Sequence, residues 1–311
     1  MRFMDEWIVQ DMKESYGMEC RSFSRVNGGF LNELWRVETD RGEMLVKVFS
    51  PKRFSEKKMA DIERALLMQQ KLHAAGVCCP RVHAPVLRCL DVQRIYTVMD
   101  YCAGRNETPE TIIIPQMQSL GAEIARMHAE FDELPYAGEK GYPVDCAALS
   151  ERLSSHMEAY GDEMLRRIAA TWTAEDISCQ PMALRHEDMT QDNVLFDDDG
   201  VTAIIDFDRA SYHFALHDIG RAVLSFARTD EGLKAESVRA FLTGYNTVRP
   251  LILQDVIQAL RVTWLSEAAW WIGPQAQRLT GKALRFREDL LWLTENYFAL
   301  EKIDALQPQG L

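Results

Sequence analysis

Two textures of hydrophobic and polar positions divide the chain. From about residue 20 to residue 100, apolar and polar residues alternate with a period of two in RSFSRV (21–26), ELWRVETD (33–40), EMLVKVFS (43–50) and VHAPVLRCLDVQRIYTVMDY (82–101). That alternation predicts strands. One helical pattern interrupts it, from Ser55 to about His73, with a serine at its start and Gly76 and Pro80 at its close. After Tyr101 the spacing becomes that of helices, in PQMQSLGAEIARMHAEF, AALSERLSSHMEAYGDEMLRRIAATW, AESVRAFLTGYNTV, LILQDVIQALRVTWLSEAAWWI and ALRFREDLLWLTENYFAL. The main strand signal in this half is NVLF followed by VTAIIDF, separated by Asp197-Asp198-Asp199-Gly200, a turn composition. The pattern predicts an α+β chain. Residues 1–100 form a small sheet-plus-helix lobe and residues 101–311 a larger helical lobe. Their boundary falls near DYCAGRNETPE, where Gly104 and Pro109 suit a connector.

Composition narrows the class. With 311 residues, 47% hydrophobic and 26% charged, the chain is long enough for a sizeable core and has ordinary globular make-up. Apolar runs are short and interrupted by Glu, Gln or Arg, so no membrane span is expected. The opening MRFMDEWIVQDMKESYG lacks a signal-peptide core, and a cytoplasmic protein is the expectation. The seven cysteines are scattered without a CxxC pair, which reads as buried free thiols rather than a disulfide frame or zinc site. The formal charge of −12 argues against a nucleic-acid partner and leans weakly toward a cationic or neutral substrate.

The chemistry concentrates in LRHEDMTQDNVLFDDDGVTAIIDFDRA, residues 184–210. In an antiparallel hairpin the ends away from the turn lie side by side, so folding is expected to bring Asn193 and Asp206 together. Asp188 enters five residues earlier. Two oxygen-bearing side chains at one hairpin mouth suit a hard cation such as Mg²⁺. A neighbouring carboxylate can take the proton of an attacking hydroxyl. A solvated acidic hairpin is the plain alternative for such a set. The spacing His-x-Asp-x4-Asn followed by Ile-Asp-Phe-Asp is far more specific than that alternative requires.

This segment resembles the catalytic stretch of the aminoglycoside phosphotransferase and choline kinase-like family, small-molecule relatives of protein kinases. The resemblance runs from about residue 20 to 230. It implies a two-lobed protein-kinase-like fold and ATP- and Mg²⁺-dependent transfer of a phosphoryl group to a hydroxyl. It further implies Asp188 as base, Asn193 and Asp206 as Mg²⁺ ligands, and His186 as support for the loop. Glu187 is a departure, since glycine is common there in the family.

Other parts of such a machine have candidates. Lys47 shares a strand face with Leu45 and Phe49, so it points where apolar residues point and calls for an anionic partner. Glu63 lies on the packed side of the predicted helix and can pair with Lys47 and aim it at nucleotide phosphates, as the resemblance implies; Asp61 and Glu56 are alternatives. Gly28 and Gly29 form a bend at which backbone amides can approach phosphates, and Asn32 follows them as in the family. Backbone groups of Asp100 and Cys102 are placed at the adenine edge by position alone. Asp218 is either a helix cap or a support for the catalytic loops.

No GxxxxGK[ST] or GxGxxG occurs. After Asp206 the chain has no activation segment or A-P-E element, so a small alcohol is a better acceptor than a protein. Trp264, Glu267, Trp270 and Trp271 read first as core, with an ammonium cage as the functional alternative. A non-catalytic kinase-like module is the rival class. Retention of Lys47, Asp188, Asn193 and Asp206 together speaks against it.

Overall fold

The N-terminal alternation folds into an antiparallel sheet whose two faces bury separate apolar clusters. The computed structural model describes residues 6–26, 32–50, 56–91, 94–134, 145–272 and 279–307. Its contacts divide the chain into two units. The first unit contains α1 (Glu6–Tyr16), β1 (Cys20–Arg25), β2 (Glu33–Thr39), β3 (Gly42–Val48), α2 (Glu56–Ala74), β4 (Arg88–Asp91) and β5 (Arg94–Asp100). The sheet order is β1-β2-β3-β5-β4, with Lys47 of central strand β3 opposite Leu34 on β2 and Thr97 on β5.

Period-two alternation sends Met44 and Val46 to one face, where Ile8, Met12 and Tyr16 of α1 pack on them with Trp35, Val37, Tyr96 and Val98. Leu45 faces the other way, into the cluster of Phe49, Ile62, Leu66, Ile95 and Met99 that α2 completes. Each fully buried side chain of this kind contributes on the order of 1.5–3 kcal/mol. The N-terminal helix is clipped to the sheet by Asp11, which accepts from Arg88 at 2.6 and 2.8 Å and from the Tyr96 hydroxyl at 2.5 Å. The guanidinium of Arg88 holds the Asp11 carboxyl at about 2.

The second unit is mostly helical. In chain order it contains α3 (Ile114–Glu133), α4 (Cys146–Tyr160), α5 (Glu163–Ala169), α6 (Ala174–Ser178), β6 (Met182–Arg185), β7 (Val194–Phe196), β9 (Ser211–Phe214), α7 (His217–Ala227), β10 (Arg228–Thr229), β11 (Gly232–Leu233), α8 (Ala235–Tyr245), α9 (Leu253–Trp271) and α10 (Lys282–Asn296). Strand β8 (Val201–Ile204) begins in this unit and continues into the first. Strands β6 and β9, β7 and β8, and β10 and β11 pair as two-stranded sheets. Within the turn between β7 and β8, the Asp197 side chain accepts the Asp199 and Gly200 amides, both at 2.9 Å.

Two features depart from the sequence pattern. The single helical stretch expected over 147–172 is broken at Gly161-Asp162. Gly161 ends α4 in the left-handed region (φ 80°), and Asp162 caps α5 by accepting from the Leu165 amide. Residues Thr202–Asp208, expected with the C-terminal part, group with the first unit. The Ile204 amide donates to the Cys78 carbonyl at 2.7 Å, and two aspartates of the segment meet Lys47.

Candidate active site

In the first unit, Lys47 is the centre of a compact charged group. Its side chain is only 8% exposed, and Nζ donates to Asp206 Oδ1 and Asp208 Oδ1, both at 2.7 Å. Burial alone would lower the lysine's pKa; Asp208 and then Asp206 outweigh it, and the ammonium is held above its ordinary range. The expected partner, Glu63, is not the carboxylate found here. It stands on the exposed face of α2, whereas the chain after β8 delivers the two aspartates to the buried end of the lysine. Asp61 is not among the carboxylates on Lys47 either, and the Glu56 side chain lies outside the described residues.

Asn32 ties this group to the sheet. Its Nδ2 donates to Asp208 Oδ2 at 3.5 Å and its Oδ1 accepts the Ser50 amide at 3.3 Å. Gly28 and Gly29 lie outside the described residues. At the end of β5, the Asp100 amide donates to the Arg81 carbonyl at 2.9 Å and its carboxylate faces His83 Nε2 at 2.7 Å. Cys102 is partly buried, and burial pushes its thiol up.

In the second unit, the loop from His186 to Asn193 is wired from below. Asp218 is fully buried and accepts the amides of His186 and Glu187 at 2.8 and 2.9 Å, and faces His128 Nε2 at 3.2 Å. Burial raises a carboxyl, but the hydrogen bond from His128, with the His186 and His217 rings nearby, outweighs it and holds Asp218 below the usual carboxylate range. It supports the loop and does not cap α7, whose N-cap is Leu216.

Burial pushes His128 down to about 4, so the ring is neutral, with Nε2 donating to Asp218 and Nδ1 accepting from Tyr245. His186 Nδ1 accepts the Asp188 amide at 3.3 Å. Asn193 Nδ2 donates to the Asp188 carbonyl at 2.8 Å. The Asp188 side chain itself is 14% exposed and faces Lys282. Glu187 adopts φ 65°, a left-handed conformation that a glycine enters without penalty. This is the physical content of the departure noted at that position.

The residues resemble known proteins over most of the chain. The Phosphotransferase enzyme family model matches residues 22–251. The chain belongs to this family. Homoserine kinase of Methylobacillus glycogenes is 31% identical, with 93% of this chain and 95% of that one covered. Homoserine kinase of Methylobacillus flagellatus is 27% identical, covering 89% and 87%. Among solved structures, amicoumacin kinase hAmiN in complex with AMP-PNP, Ca²⁺ and Ami aligns at TM-score 0.64 and 16% identity, over 99% of this chain and 96% of that one. Choline kinase from Cryptosporidium parvum Iowa II aligns at TM-score 0.59 and 12% identity, over 96% and 95%. The phosphotransferase therefore has the α+β, protein-kinase-like fold that the sequence implied, and it is a small-molecule kinase.

In the first unit the Asp206 side chain is 46% exposed and offers the carboxylate oxygens that hard cations take. In the second unit the Asn193 amide NH₂ is turned to a backbone carbonyl, so its oxygen is the end of that side chain left for a ligand. A further cluster does not fit such a cation. Donor atoms of Glu187, His217 and Asp218 lie within 4.8 Å of one another. His217 Nε2 donates to Glu267 at 3.0 Å and its Nδ1 faces Glu187 at 3.5 Å. Burial would lower this imidazole, but the two glutamates raise it to about 10, so it is a cation in its own right.

Sequence reasoning missed several of these groups. Asp208 was visible in Asp-Phe-Asp but received no role. Lys282 lies 94 positions from Asp188 and carries no local signal. The ammonium cage is not formed. Trp264 is fully buried with its indole N–H on Thr294, Glu267 is spent on His217 and Arg221, and Trp270 is 70% exposed.

Proposed function

We propose that this phosphotransferase moves the γ-phosphoryl group of ATP to the side-chain hydroxyl of homoserine or a closely similar hydroxy amino acid. The near end-to-end similarity to proteins named homoserine kinase supports the acceptor. The geometry that carries the chemistry is the Asp188 loop, where His186, Asn193 and Asp218 fix the backbone and leave the carboxylate facing Lys282 and partly exposed.

In this reading Asp188 accepts the proton of the acceptor hydroxyl as that oxygen attacks the γ-phosphorus. The bond from the γ-phosphorus to the β–γ bridging oxygen breaks, and ADP leaves. Lys47 holds charge on the nucleotide phosphates, and backbone near Gly28 and Gly29, with Asp100 and Cys102, forms the rest of the nucleotide site. Asn193 and Asp206 are the donors for Mg²⁺, which when bound neutralises charge on the transferring phosphates.

The test is ADP release over a panel of homoserine, choline, ethanolamine and aminoglycosides. Homoserine is expected to give the highest kcat/KM. Asp188→Asn is expected to lower kcat by about 10²–10⁴ with nucleotide affinity nearly unchanged. Turnover retained in Asp188→Asn removes it from the base role, and ADP release with another alcohol but not homoserine removes the acceptor.

A further inference from the structure

Two lysines of this protein face aspartate pairs, and they do so differently. Lys47 is 8% exposed and locked at 2.7 Å from each partner. Lys282, at the first position of α10, is 37% exposed; its Nζ stands 3.4 and 3.3 Å from the two oxygens of Asp188 and 3.7 Å from Asp192. Charge-assisted N–H···O bonds close to about 2.7–2.9 Å. Lys282 is therefore near its carboxylates without being fastened to them, and an ammonium has three donors to place. Arg285, one turn further on, is committed to Asp192 at 3.0 Å. Two cations thus face two carboxylates beside the group that meets the acceptor.

We infer that Lys282 is a specificity-determining residue that binds a carboxylate on the acceptor, making the substrate class a small hydroxy acid or hydroxy amino acid rather than a cationic alcohol. This rests on Asp188 being the base. An acceptor hydroxyl on Asp188 lies within about 3 Å of that carboxylate, and so within about 6 Å of Lys282 Nζ. A substituent a few bonds from the hydroxyl enters the field of that ammonium. An acceptor whose only charge is an ammonium meets a like charge there, and the acids beside it are already matched; a zwitterion such as homoserine can turn its carboxylate to Lys282 and its ammonium away. A carboxylate instead gains a charge-assisted pair. Glu267, the acid a cationic substituent would need from α9, is held by Arg221 and His217 at 2.9 and 3.0 Å.

The experiment compares L-homoserine with 3-aminopropan-1-ol, the same molecule without its carboxylate, in the full-length protein and in Lys282→Met and Lys282→Arg. The wild-type protein is expected to prefer homoserine. In Lys282→Met the ratio of the two kcat/KM values falls about tenfold or more, chiefly through a higher KM for homoserine. Lys282→Arg, which keeps the charge, retains most of the preference. An equal fall for both acceptors in Lys282→Met overturns the inference and makes Lys282 a helper of proton or phosphoryl transfer. So does a wild-type preference for the amino alcohol, with the kinase reading intact. ADP release with neither acceptor, nor with any alcohol in the wider panel, overturns the kinase reading itself.

Discussion

At the scale of single residues, the two aspartates on Lys47 separate by exposure. Asp206 is 46% exposed and adopts φ 63°, so part of its carboxylate remains open to solvent and to a cation. Asp208 is 15% exposed and also meets Asn32, which makes it the anchor of the lysine. Asp206→Ala is therefore expected to remove most of the Mg²⁺ dependence of nucleotide affinity. Asp208→Ala is expected to keep that dependence while lowering stability by about 3 kcal/mol, because a buried ammonium loses a partner. Calorimetric titration of ATP with and without Mg²⁺, paired with urea unfolding, reads both; identical behaviour of the two variants contradicts the division. Asp206 stood out in the sequence because its motif is local, with oxygen donors at fixed spacing, but its contact with Lys47 had no such signal. The Lys47 partner was misassigned to Glu63 because helix periodicity states which side a residue faces, whereas the winning carboxylates arrive from 159 and 161 positions away.

At the scale of elements, helix packing in the second unit turns on small residues that no amphipathic pattern reveals. A Cβ on Gly244 would lie 1.8 Å from the Gln118 carbonyl oxygen, and one on Gly121 would lie 2.1 Å from that of Phe241. Helices α3 and α8 therefore touch backbone to backbone along this stripe. Gly161 is different, since it needs a left-handed conformation but has nothing within 4 Å. Gly244→Ala is expected to cost about 3 kcal/mol or more, the upper end for overpacking. Gly161→Ala should cost about 1–2 kcal/mol from backbone strain alone. Denaturant midpoints of the two variants decide the order, and an equal or smaller loss at Gly244 rules out the close approach. The long helices of this half were readable from periodicity, whereas α6, only five residues over Ala174–Ser178, is too short to show a period. The break at Gly161-Asp162 was not weighed, although a glycine followed by a capping aspartate is a local stop-and-start signal.

At the scale of the whole molecule, stability in the second unit depends on a charged chain buried among α7, α9 and α10. It runs from Glu187 through His217, Glu267 and Arg221 to Asp289 and Arg228. Burial disfavours every one of these charges, so the chain holds only while each faces an opposite one. Burial also opposes ionisation of Glu267, yet Arg221 and His217 outweigh it and hold that carboxyl at about 2. His217 is the link that titrates within reach of experiment.

Its folded pKa, about 10, lies above its ordinary value of 6.5. The protonated ring is favoured by the folded state, so its contribution is complete below about pH 6.5 and is lost as pH rises through about 10. Above that, two buried glutamates face a neutral ring. His217→Gln is accordingly expected to cost about 3 kcal/mol near pH 6, with the gap from wild type narrowing steadily toward pH 10. Urea unfolding of both proteins at pH 6, 8 and 10 measures the gap directly and cancels the tyrosines and lysines that titrate in the same range. A gap that stays constant across these pH values means that His217 is not the cation joining Glu187 to Glu267.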